Sequence, residues 1–128
     1  MPKVSGVIFS AIGAGLIGSE NIVAGSNYGL EYSLYEQGMR TQDGLFQRST
    51  GERNINPTAL ILSGINMLND LGEYNCARLI KIALLNSYKM GNNYMPCNVG
   101  GVNDCEMFTK IIINNMEKLK SKSSAALY

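Results

Sequence analysis

Few kinds of side chain in this sequence are able to move a proton or hold an ion. There is no histidine among its 128 residues, which removes Ser-His-Asp and Cys-His nucleophilic systems and every His-ligated metal. Proton transfer falls to Asp, Glu, Lys, Tyr or Cys. The three cysteines, Cys76, Cys97 and Cys105, are odd in number and widely spaced, which describes neither a disulfide framework nor zinc-ligand spacing. A zinc site would need a fourth ligand such as Asp104, and a reducing compartment suits the thiols better. Arg40, Arg48 and Arg53 form the one basic cluster inside a candidate binding segment. They would suit nucleotide phosphates, but three arginines in a polar loop are ordinarily just solvated.

The remaining charges point away from nucleic acid. The net charge is +1, and Lys118, Lys120 and Lys122 cluster only near the C-terminus, so no basic field exists to gather phosphates. Charged residues make up 16% of the chain, below the roughly 25% of ordinary soluble domains. Asparagine fills the gap. Either base-composition bias or a surface partly covered by partners would account for that. The length suits one domain, whose core would bury roughly two-thirds of the unfolded surface.

The elements that must position these side chains follow from pattern. Residues 4–19, VSGVIFSAIGAGLIGS, carry no charge. With Gly6, Gly13, Gly15 and Gly18 they fall short of the ~20 apolar residues of a membrane span. A signal-peptide core remains open, with Val23-Ala24-Gly25 as a small-residue cleavage site, and so does a buried helix whose small residues admit a close neighbour. Leu30, Tyr32 and Leu34 alternate with Glu31, Ser33 and Tyr35, which predicts a half-buried strand. Residues 37–55 have no sustained period and read as a long loop.

Three helices follow. Asn56-Pro57 opens the first, with Asn capping free N–H groups and Pro at the first turn. Leu60, Ile61, Gly64, Ile65, Met67 and Leu68 give it a wide apolar face, and Ser63, Asn66 and Asp70 a narrow polar stripe, so it is expected to be buried on most sides. Gly72 stops it. The second, about 74–90, places Cys76, Ile80, Ala83, Leu84 and Ser87 on one side, and Gly91 ends it. The third begins near Asn103, with Glu106 completing a capping box. Its apolar face is Met107, Phe108, Ile111, Ile112 and Leu119.

Five segments in order, VSGVIFSAIGAGLIG, GSNYGLEYSLYE, NPTALILSGINML, LGEYNCARLIKIAL and NVGGVNDCEMFTKII, resemble the C-terminal part of the isocitrate and isopropylmalate dehydrogenase family. They cover about residues 3–118. The start Glu36-Gln37-Gly38-Met39-Arg40 looks most like the non-catalytic beta- and gamma-type subunits of mitochondrial NAD-dependent isocitrate dehydrogenase. The resemblance implies an α/β fold class: a partial isopropylmalate-dehydrogenase-like large domain, mostly helical, with about four helices and one or two strands. Residues 1–128 would then form a single incomplete dehydrogenase-like domain, with 119–128 as a flexible tail. The core would need completing by something else. Residues 7–18 take the place of a helix inside that domain, which disposes of the signal peptide.

In the family that helix presents metal-binding aspartates in a GDxxSDL motif and packs against its counterpart in a second subunit. Val7 and Ala11 stand here at the two acidic positions, and neither offers the oxygen that Mg or Mn requires. Met39 stands at a histidine that contacts NAD. Asn56 matches the asparagine that touches adenine, although a plain N-cap explains it better, and Arg40 is the other cofactor-contact candidate. The resemblance therefore implies no catalytic residue, no metal, no resident cofactor (NAD and Mg or Mn in the family), and an interface at Ile8, Ile12 and Gly15. The expected role is packing with other dehydrogenase subunits in the mitochondrial matrix, with no nucleic acid and no membrane span. The alternatives are a scaffold in a larger assembly, or regulatory nucleotide binding in trans through the three arginines.

Overall fold

The computed structural model describes residues 8–9, 11–13, 15–16, 22–37 and 55–125. Among them are helical residues between 8 and 16, an antiparallel hairpin, and three helices. The hairpin joins β1 (Ala24–Tyr28) to β2 (Ser33–Gln37), with Ser26 opposite Tyr35 and Tyr28 opposite Ser33. The helices are α1 (Thr58–Asp70), α2 (Tyr74–Lys89) and α3 (Cys105–Ala125). The hairpin packs on α1, α1 on α2, and α2 on α3. Val7, Met39, Arg40, Arg48 and Arg53 lie outside the described residues.

Helix boundaries follow local chemistry. Pro57 already has helical dihedrals (φ −78°, ψ −3°), and its carbonyl accepts from the Ile61 N–H at 3.0 Å. Asn56 Oδ1 accepts from the Thr58 N–H at 3.0 Å, which satisfies a donor that the first turn leaves free. At the other end Gly72 has φ +81°. The Gly72 N–H donates to Asn69 O and the Glu73 N–H to Leu68 O, the paired bonds of a Schellman stop, which only a residue tolerant of left-handed backbone completes cheaply.

The third helix starts one step later than its sequence suggests. Asp104, not Asn103, caps it, with Oδ1 accepting from the Met107 N–H at 2.8 Å. Glu106 instead pairs with Lys110 one turn on, an exposed contact that contributes little. Asn103 is drawn away because its Nδ2 donates to Asn93 O and Met95 O, fastening the loop between α2 and α3. In that loop Gly101 passes so close to the Met95 carbonyl that a Cβ would collide with it. Helical backbone continues to Ala125, through most of the stretch expected as a tail.

The core is built between α2 and α3. Ala83, Leu84, Phe108 and Ile112 are buried together, with Ile61, Leu62, Tyr88, Met116 and Leu119 around them. Met107 and Cys76, expected inside, are exposed. Cys76 shares the inner side of α2 but sits in the first turn, where no neighbour covers it, and Ala77 is buried in its stead. Asn115 is buried on the α3 face because its Nδ2 donates to Ser87 Oγ at 2.9 Å.

Two sequence expectations, the strand over residues 30–35 and the burial of the first helix on most sides, meet a different arrangement. Leu30, Tyr32 and Leu34 are exposed, because the chain turns at Gly29–Tyr32, where the Gly29 N–H donates to Tyr32 O at 2.8 Å. The period therefore breaks between the strands, and the face carrying Ser26 and Tyr35 meets α1. On α1 itself Ser63 is buried and Asn66 donates to Ser26 Oγ at 3.3 Å, so its polar stripe faces the protein. Leu60 and Leu71 are 62% and 69% exposed, on the side where Met67 and Gly64 also lie.

Truncating Phe108→Ala is expected to cost about 3–5 kcal/mol, the range for emptying a large buried aromatic site, whereas Leu60→Ala stays within about 0.5 kcal/mol. Urea unfolding of the two variants checks this. Equal losses would contradict the placement of the core.

Candidate functional site

The described positions that bear on chemistry fall into three groups. The first surrounds Asn56, where α1 begins. Asn56 is 2% exposed; its Oδ1 is taken by the Thr58 N–H, and its Nδ2 lies 3.4 Å from Tyr88 Oη. Thr58 Oγ1 and Tyr88 Oη are 2.6 Å apart. The Tyr88 ring meets Phe108 at 5.3 Å with an interplanar angle of 67°, the edge-to-face packing that aromatic quadrupoles favour. The Asn56 amide is thus held within the chain, binding the start of α1 to the end of α2. Reading the sequence did not pick out Thr58 or Tyr88. Tyr88 follows Leu84 by four residues, and extending the inner stripe of α2 by one turn would have found it.

The second group is the helical surface at residues 8–16. Ile8, Ala11, Ile12 and Gly15 fall on one face by helical spacing. Ile8 and Ile12 are 53% and 54% exposed, and a Cβ on Gly15 would meet nothing within 4 Å. Ala11 is exposed and presents a methyl group. Hard divalent cations take oxygen ligands, and the side chains of Ala11 and Val7 offer none.

The third group ties the hairpin to the end of α1. Tyr35 Oη donates to Asp70 Oδ2 at 2.6 Å, and the Tyr28 ring stands edge-on to Tyr35 at 6.2 Å. Hydrogen bonding to the Asp70 carboxylate, with a smaller contribution from burial, raises the pKa of Tyr35 and of Tyr28 above the ordinary 10.0. The neutral phenol donates; an ionised one would face a carboxylate. Elsewhere the Asn98 amide is enclosed with neither end hydrogen-bonded. Among the described residues no helix is long and apolar enough to cross a membrane.

No family model matches the chain. Curated proteins do. Over 119 residues, 93% of its length, it is 38% identical to the mitochondrial NAD-dependent isocitrate dehydrogenase subunit 1 of Schizosaccharomyces pombe. It is 37% identical over 118 residues to subunit 1 of Saccharomyces cerevisiae, and 32% identical over 117 residues to the human beta subunit. These matches span 32%, 32% and 29% of the relatives, so the chain spans about a third of their length. It is homologous to subunits of this dehydrogenase and corresponds to part of an isocitrate-dehydrogenase-like domain. Because subunit 1 of two yeasts stands above the beta subunit, the likeness does not single out the beta or gamma type.

Two outcomes follow from the geometry. Tyr88→Phe strips Thr58 and Asn56 of a buried partner and is expected to cost about 1–3 kcal/mol. Tyr88→Phe with Thr58→Val should cost less than the two single changes added, as a double-mutant cycle would read. Raised phenol pKa values mean that the Tyr–Asp70 contact stabilises the fold below pH 10 and is lost as pH rises through them. Ultraviolet titration should show tyrosines ionising at lower pH in Asp70→Asn; an unchanged curve would mean the contact is not made in solution.

Proposed function

We propose that this chain is a non-catalytic relative of NAD-dependent isocitrate dehydrogenase subunits, acting by packing against subunits of that kind in the mitochondrion. The observation that carries the reading is the face at residues 8–16. Ala11 offers no ligand oxygen, and beside it Ile8 and Ile12 stand open while Gly15 leaves room for a neighbouring backbone. An apolar helix face with a small residue in it suits another helix, because burial of the isoleucines is favourable and the glycine permits close approach.

Three further points support the reading. The resemblance places metal-binding acids at Val7 and Ala11, and a face without carboxylates does not bring charges into an interface that would have to be paired there. The Asn56 amide is engaged by Thr58 and Tyr88, so its capping role stands without a nucleotide. The relatives are named as subunits and as mitochondrial, which suggests both the kind of partner and the compartment.

Co-expression with full-length NAD-dependent isocitrate dehydrogenase subunits tests the proposal. The chain should co-purify with them, and Ile12→Glu should abolish retention while leaving the far-ultraviolet circular dichroism unchanged, since Ile12 is outside the core. A folded chain that stays monomeric and binds none of them sinks the reading. Supplied with isocitrate, NAD and Mn, the chain alone should produce no NADH; sustained turnover would overturn the non-catalytic part.

A further inference from the structure

We draw no further inference here: the strongest candidate, the open apolar stripe of α1 formed by Leu60, Met67 and Leu71 around Gly64, carries nothing because nothing in the structure shows what covers it.

Discussion

Tyr88 holds three parts of the molecule at one point. Its ring lies against Phe108 of α3, its backbone belongs to the last turn of α2, and its hydroxyl is shared with Thr58 and Asn56 at the start of α1. Hydrophobic burial alone would allow α1 to slide or rotate over the α2–α3 pair, because apolar contact is non-directional. A hydroxyl enclosed by two polar side chains has few satisfactory positions, since leaving any of the three groups unpaired costs about 1–3 kcal/mol. The register of α1 against α2 is therefore specified by polar geometry, and the hairpin inherits it through Asn66, Asp70 and their partners Ser26 and Tyr35.

This arrangement explains why α1 carries its polar stripe inward. Ser63 bonds its own helix at Leu60 O and Asn66 bonds the hairpin, so the burial of the first and the partial burial of the second are compensated, while Asp70, still exposed, also bonds the hairpin. The opposite consequence is an apolar side, Leu60, Met67 and Leu71, turned to water. Local preference and the described packing disagree on that side, and such disagreement is informative because consistent sequences place their large apolar residues under cover. The disagreement is most continuous on α1; α2 and α3 also expose single apolar residues, Ile82, Leu85, Met107 and Ile113, but on α3 these stand among Glu106, Lys110, Asn114 and Glu117.

Sequence reasoning succeeded where one residue decides the outcome and faltered where two elements must meet. Gly72 and Gly91 stop helices because their φ values are positive, and Asn56-Pro57 opens one through a bond two residues long; both are local, so both were legible. The hairpin was not. Alternation from Leu30 to Tyr35 is real, but which set turns inward depends on where the turn falls, and a turn at Gly29–Tyr32 moves Leu30 and Tyr32 out of the strands altogether. Asn103 and Asp104 are both good caps. The choice between them was made by Asn93 and Met95, carbonyls about ten residues away that claim Asn103. The burial of Asn115 was not legible for the same reason, because its partner Ser87 lies on another helix. Where the resemblance expects acids, what is missing is legible without coordinates, since neither Val7 nor Ala11 carries a ligand oxygen.

Under the proposed packing role, the absence of acidic residues and the presence of a packing surface would be one physical change rather than two. Two carboxylates close together on a helix repel each other unless a cation or basic partner neutralises them, and burying either unpaired is costly. A helix that keeps them is obliged to keep their cation or to stay in water. If Val7 and Ala11 stand where the resemblance puts the acids, that obligation is gone, and the exposed Ile8 and Ile12 beside Gly15 offer apolar surface whose burial is favourable at roughly 25 cal/mol per Å². Such a helix cannot be led back to metal chemistry by restoring one acid, because a single carboxylate in an otherwise apolar face brings the desolvation cost without enough oxygens to hold the ion. On the proposed reading, metal chemistry at this surface would disappear as a unit, and association is the use that Ile8, Ile12 and Gly15 would suit.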